Sequence, residues 1–214
     1  ITGLSTSGSG SVTQGTGMAV IRTGTTANSA AVMASRKRII CRSGQGLLAE
    51  FSSIFNTGVA NNIQIIGVGN SQDGFFFGYN GTTFGILYRT SISGSRVDTW
   101  TAQTSWNVDT LNGTGPSGVT LTSTVGNVYK IEYSSLGFGV VNFYIASPTD
   151  GSFILVHRIH SLNSRTAPII SNSSLQLLAM NYNVAGATTN SNLRTSSMMG
   201  AVEGQVSIMN NNRY

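Results

Sequence analysis

The chain has 214 residues, enough for one large domain that buries roughly 70% of the surface its unfolded form would expose. Only 9% of the residues are charged, against about 25% in ordinary soluble domains, and Ser, Thr, Asn and Gly take their place. The net charge of +5 is therefore a small surplus in a charge-poor chain, and with no basic stripe interleaved with aromatics it argues against nucleic acid as a partner. The one cysteine, Cys41, excludes an intramolecular disulfide framework, no run approaches the ~20 apolar residues of a membrane span, and no secretory leader is visible.

In chain order, the opening "ITGLSTSGSGSVTQGTG" (residues 1–17) has hardly any apolar residues and reads as a flexible Gly/Ser-rich arm or linker, ordered only through a neighbour. A single domain over residues 18–214 follows. A start at Ile1 without methionine and an end in "NNNRY" read as a piece of something longer. "MAVIR" (Met18 to Arg22) is the first strand-like run, followed by "AAVMA", "RIICR" and "GLLAEFSSIF". The basic cluster Arg36, Lys37 and Arg38, with Arg42 beyond, is expected on a strand as a solvated face or a guard on a sheet edge. Cys41, inside an apolar run, reads as a buried thiol.

The next runs are "NIQIIGVG" (Asn62 to Gly69), "GFFFGY" (Gly74 to Tyr79) and "TFGILYRT" (Thr83 to Thr90). Asn80-Gly81 between two apolar runs predicts a hairpin. Strand alternation sends Phe75 and Phe77 to one face and Phe76 to the other, so the triple Phe is core packing rather than an exposed platform. Phe84, Ile86 and Tyr88 return as cross-strand partners. Residues 91–126 are a polar excursion holding both tryptophans, on which binding groups are expected. Trp100, Gln103, Trp106, Asn107 and Asp109 are the candidate glycan- or partner-binding residues: indole rings to stack on a sugar, amides and a carboxylate to bond its hydroxyls. The alternatives are tryptophans that pin the loop to the sandwich beneath, or a subunit contact. "VYKIEY", "FGVVNFYIA", "SFILVHRIH", "LQLLAMNYN" and "MMGAVEGQVSIM" complete the series of short runs cut by turns. That spacing predicts an all-β chain, a two-layer antiparallel β-sandwich of jelly-roll type.

Chemistry is harder to find. His157 and His160 are three apart on a strand, which sets them on opposite faces and argues against a shared metal. No G-x-S-x-G elbow is present, and Cys41 lacks the setting of a reactive thiolate. The acids Glu50, Asp73, Asp98, Asp109, Glu132, Asp150 and Glu203 are isolated in sequence, so the paired carboxylates of a glycosidase are missing. Asp73 with Asn70 in "GNSQDG" offers oxygen ligands of calcium type, but a turn in which Asp caps its own backbone is the favoured reading. The chain is therefore expected to be no enzyme, with no cofactor and no metal site.

The blocks "IQIIGVGNSQDGFFFGYNGTTFGILYR", "VYKIEYSSLGFGVVNFYIASPTDGSFILVHRI" and "SSMMGAVEGQ", spanning roughly Leu47 to Gln205, resemble a β-sandwich module of concanavalin/laminin-G-like jelly-roll type. It recurs in structural and uncharacterised proteins of large double-stranded DNA viruses. "DGFFFGYNGTTFGI" is the distinctive part. The resemblance implies a non-enzymatic virion structural protein: a minor capsid, fibre or tail-surface module located in the virion. Its partners would be other virion proteins in a homo-oligomer, for which a trimer would suit a fibre head. The alternative is a host-attachment domain that binds cell-surface glycan through residues 91–126.

Overall fold

The computed structural model describes residues 2–41, 44–134 and 137–204. Its strands are β1 (Thr2–Ser7), β2 (Ser11–Gly15), β3 (Met18–Arg22), β4 (Ala30–Ser35), β5 (Ile39–Ile40), β6 (Gly46–Ser53), β7 (Asn62–Gly69) and β8 (Gly74–Asn80). They continue with β9 (Thr83–Thr90), β10 (Val97–Ala102), β11 (Asn127–Ser134), β12 (Val141–Ala146), β13 (Phe153–Ile159), β14 (Ser174–Asn183), β15 (Asn192–Thr195) and β16 (Met198–Glu203). A single helical turn, Gln103–Ser105, follows β10. The large sheet has eight strands, β1-β4-β14-β7-β8-β9-β10 with β5 also paired to β14. A five-stranded sheet, β13-β12-β11-β6-β16, faces it, and β15-β3-β2 form a small third sheet. All pairings are antiparallel. The expected all-β sandwich is the observed architecture.

The expected hairpin forms with the expected partners: Phe75 opposes Tyr88, Phe77 opposes Ile86 and Tyr79 opposes Phe84. The turn itself is one residue further on, because Asn80 pairs with Thr83 and leaves Gly81-Thr82 as the loop. Gly81 takes φ +61°, the left-handed region that a two-residue hairpin needs and that glycine enters without a Cβ clash.

Phe75 and Phe77 lie between the sheets, against Tyr133, Tyr129 and Phe143, in the main core. Phe76 points the other way, yet it too is fully buried, in a second cluster with Ile65, Leu87 and Leu178 on the outer face of the large sheet. Partly buried Trp100, Met180 and Val32 pack around that cluster. Gly69 makes room for the ring, since a Cβ there would lie 2.3 Å from it, and the Arg89 guanidinium sits 5.5 Å from its centre.

Four expectations need correction. Residues 2–17 are not a free arm: β1 pairs along β4, and β2 pairs with β3. Backbone pairing at a sheet edge needs no apolar side chain, and Ser9 adds hydrogen bonds to Ser29, Thr23 and Thr26 that tie the first turn down. Arg36, Lys37 and Arg38 are not on a strand. They lie, all exposed, in the connection between β4 and the two-residue β5. In β13 the alternation breaks at a bulge between the partners Phe143 and Tyr144, so His157 pairs with Phe143 while Leu155 pairs with Tyr144. β15 was not foreseen. Ile1, Arg42 and residues 205–214, including Gln205 at the end of the resemblance and the tail of the last run, lie outside the described residues.

The small sheet is joined to the large one by buried amides. Asn62 Nδ2 donates to the side-chain oxygens of Asn181 and Asn183, both at 3.0 Å. Asn181 Nδ2 in turn donates to Ile21 O and Ser191 O, and Asn183 Nδ2 to Gly24 O and Thr189 O. Burial of so many polar groups is stable because nearly every one finds a partner; Asn62 Oδ1 is the exception in this group among the described residues.

Candidate functional site

The five residues expected to bind a ligand do not form one surface. Trp106 is buried, 5% exposed, and meets Phe77 and Phe84 edge-on at 6.1 and 6.2 Å. Gln103 Nε2 donates to Thr110 O and Leu111 O. Asp109 is buried and accepts from the backbone N–H groups of Leu111 and Ser117. Burial pushes its carboxyl up, but those hydrogen bonds outweigh it and hold the group below its ordinary value. Asn107 acts as a strand mimic on β13: its Nδ2 donates to Arg158 O, its Oδ1 accepts from Arg158 N, both at 2.8 Å. Val108 and Asp109 N–H groups both reach Val156 O. The segment 103–109 therefore closes the edge of the five-stranded sheet, and the pinning alternative describes its tryptophan. Trp100, half-buried, lies on the outer face at the edge strand β10, opposite Leu87, and Asn107 is exposed although both ends of its amide are engaged.

His157 belongs to the same edge. Its Nδ1 accepts from Asn107 N at 3.3 Å, and burial, with the charge of His160, holds the imidazole below its ordinary 6.5. The folded state thus binds this proton less readily than the unfolded chain. Stability is full above the unfolded value of 6.5 and falls as pH drops from there through the lower folded value. The denaturation midpoint is expected to decline between about pH 7.5 and about pH 5.5, and His157→Gln should flatten that decline. Parallel curves for the two proteins would assign the titration elsewhere.

Two of the surface depressions hold carboxylates together with other polar groups. The larger, about 630 Å³, lies against the five-stranded sheet and is lined by Glu132, Asn142, Glu203, Phe138 and Leu162 among others. It brings together two acids that are far apart in sequence. Glu132 is engaged, however, accepting from Lys130 at 2.8 Å and Tyr144 at 2.7 Å. Burial raises its carboxyl, and the hydrogen bonds overcome this to leave it below the usual value, which is the wrong direction for a general acid.

The second depression, about 250 Å³, opens where the β7–β8 loop meets the segments after β9 and before β14, and is lined by Arg38, Asn70, Ser71, Gln72, Asp73, Ser91, Ser171 and Asn172. Its frame is Asp73, which has no exposed surface. Asp73 Oδ1 accepts from Ser91 N and Ser171 N, each at 3.1 Å. Its Oδ2 meets the hydroxyls of Ser171 (2.7 Å) and Ser91 (3.2 Å), which are 2.6 Å from each other. One carboxylate thus ties three loops. Asn70, not Asp73, makes the expected turn cap: its Oδ1 accepts from Gln72 N and Asp73 N. Both oxygen sets are spent inward, and among the described residues no group of three His, Cys, Asp or Glu comes together. The calcium-type arrangement is therefore not assembled by Asp73, Asn70, Asp98 and Asp109.

On that frame stand side chains with unspent capacity. Ser71 and Gln72 make no side-chain hydrogen bond to the described residues, and Asn172 uses only its Oδ1, on Ser174 N. Arg89 links the depression to the outer face: it reaches Asn70 O at 3.4 Å and grips Asp98 through two nitrogens at 2.8 and 3.0 Å. Asp98 also pairs with Arg96, and Trp100 follows two residues along the same face of β10. The sequence presents Asn70 and Asp73 as a turn or as calcium-type oxygen ligands, and nothing local could announce Ser171 or Asn172 as their neighbours.

No family model and no curated protein sequence matches the chain. Solved structures do. A functionally unknown protein from Saccharomyces cerevisiae superposes with a TM-score of 0.55 at 10% identity, over 95% of this chain and 97% of that one. The metal-free carbohydrate recognition domain of Emp46p gives 0.52 at 9% identity, over 93% and 87%. A botulinum neurotoxin type C structure, from work on cell entry through two ganglioside molecules, gives 0.50 at 10% identity over 93% of this chain. The chain spans 42% of that toxin chain, and 43% of a further neighbour. At such identities the likeness is one of fold: a lectin-like β-sandwich. None of these neighbours is a virion protein, so the viral kinship implied by residues 47–205 gains no support from them.

Proposed function

We propose that this chain is a non-catalytic glycan-binding module, with its site at the depression framed by Asp73. The observation that carries the reading is the pairing of a rigid polar frame with unspent amide, hydroxyl and guanidinium groups at Ser71, Gln72, Asn172 and Arg38. A sugar offers hydroxyls that both donate and accept, which matches amides and serines better than a row of like charges. Carbohydrate recognition in the Emp46p domain and the ganglioside dependence of the toxin lend the fold a precedent for this use. Attachment to a host surface through such a site is the alternative already raised by the sequence, moved from the tryptophan loop to the depression beside it.

A glycan array followed by calorimetry on the best binder tests the reading. Gln72→Ala with Asn172→Ala is expected to weaken binding by about tenfold or more without moving the melting temperature. Trp100→Ala is expected to weaken longer oligosaccharides, which extend past Arg89, and to leave a monosaccharide unaffected. Binding that survives the double substitution would place the site elsewhere.

A structural role in an assembly is the second reading, favoured by one observation. Ile40, Met199 and Val202 are exposed apolar side chains, 64, 45 and 39% accessible, beside the edge strand β16. Light scattering of the purified chain measures whether that edge is paired.

A further inference from the structure

The charges around the depression are unbalanced. Arg36, Lys37 and Arg38 are consecutive and exposed, and none has an ion-pair partner among the described residues. Since they lie in a connection rather than along a sheet edge, guarding an edge strand does not account for them. Arg38 lines the depression itself. The one acid in its lining, Asp73, is buried and turned toward Ser91 and Ser171. The next acid, Asp98, is already held by two arginines, Arg89 and Arg96. What faces a ligand is the Arg38 guanidinium, plus hydroxyl and amide donors from Ser71, Gln72 and Asn172, with Arg36 and Lys37 adjacent in the chain and exposed. In a chain where only 9% of residues are charged, three consecutive exposed cations, one of them in the lining and none ion-paired among the described residues, make a local positive field.

We infer that the saccharide this site takes is anionic, one whose carboxylate or sulfate is held by Arg38 within the field of Arg36 and Lys37. The inference rests on the glycan-binding reading and adds the ligand's charge to it. A planar guanidinium grips two oxygens of a carboxylate or sulfate at once, and the amides of Gln72 and Asn172 meet the ring hydroxyls beside it. Because the cations are exposed, the attraction is screened by salt over about 8 Å at physiological ionic strength.

The test is calorimetric titration of the whole chain with lactose, sialyllactose, sulfated lactose and a short oligothymidylate, at low and high salt. The comparison protein is the triple variant Arg36→Ser, Lys37→Ser, Arg38→Ser, with its melting temperature as folding control. At least one anionic sugar is expected to bind about tenfold or more tighter than lactose, and to lose that advantage in high salt and in the triple variant. Preference for sialyllactose assigns a carboxylate, and preference for sulfated lactose assigns a sulfate. Equal binding of lactose and both anionic sugars, unchanged in the variant, overturns the inference and leaves the glycan reading standing. Absence of binding by any sugar overturns both. Oligothymidylate bound as tightly as the best sugar also overturns it, since the cations would then be attracting polyanions without regard to the sugar.

Discussion

Asp73→Ala is expected to destabilise the chain by about 2–4 kcal/mol, through part-buried backbone donors left without the buried carboxylate that accepts from them. Ser91 N and Ser171 N, from loops on either side, both end on its Oδ1. Each of these part-buried donors costs about 1–3 kcal/mol when left without its acceptor, and the hydroxyl pair of Ser91 and Ser171 loses its common acceptor as well. Asp73→Asn separates two explanations. It keeps one oxygen for the two N–H groups, and the serine hydroxyls can rotate to accept from its new amide. A loss of only about 1–2 kcal/mol from Asn would show that acceptor geometry is what matters. Losses of equal size from Asn and Ala would show that the negative charge is essential. Urea midpoints at constant m-value measure both, and an Ala variant as stable as the parent would mean the carboxylate is no clamp. Saccharide binding should fall with Ala even where the fold survives, since Gln72 and Asn172 stand on loops that Asp73 holds in register.

Asn181→Ala is the second large effect, expected at about 2–4 kcal/mol. Asn181 is fully buried at the junction of the large and small sheets. Its amide nitrogen serves Ile21 O on β3 and Ser191 O just before β15, while its oxygen takes a proton from Asn62. Truncation removes a donor from Ile21 O and from Ser191 O and one of the three acceptors around Asn62 Nδ2, and opens a void at a buried polar junction. Leucine in its place should be no better, because the cost lies in the unpaired partners rather than in lost volume. The local readout is hydrogen exchange: amides of β3 and β15 should lose protection before those of β7 and β8. Coupling with Asn62→Ala, measured by a double-mutant cycle, is expected to exceed about 0.5 kcal/mol. Additive losses would mean that the two amides hold separate parts of the structure. Asn62 Oδ1 has no partner, so Asn62 carries part of this cost already in the parent protein.

These two residues show where reading the chain by itself stops. A buried asparagine in "AMNYN" and a buried aspartate in "SQDG" look like any strand end and any turn. Both are polar residues in turn-prone company, and turn chemistry is the correct default for such strings. The aromatic loop misled for a related reason. Trp106, Asn107 and Asp109 are the residue types that bind sugars, and here the Asn107 amide seals the free edge of β13 while the Asp109 carboxylate holds its own loop at Leu111 and Ser117. Residue type does not say whether a donor faces a ligand or a neighbouring strand.

What the sequence alone determined is local and periodic: the all-β class, most of the strand positions, the hairpin of β8 and β9, and the inward face of Phe75 and Phe77. Those follow from a side-chain period of two and from the φ values that glycine permits, both of which act within a few residues. What only the tertiary structure decided is which loops meet. The hydroxyls of Ser91 and Ser171 are 80 positions apart, and Asp73 and Ser171 are 98 apart. They touch because β14 is inserted between β4 and β7 in the large sheet. Strand order sets that proximity, and it depends on the energy of the whole packed sandwich rather than on any segment's own preference. The polar depression, with Arg38 in its lining, and the burial of Trp106 against the aromatic core are consequences of that order.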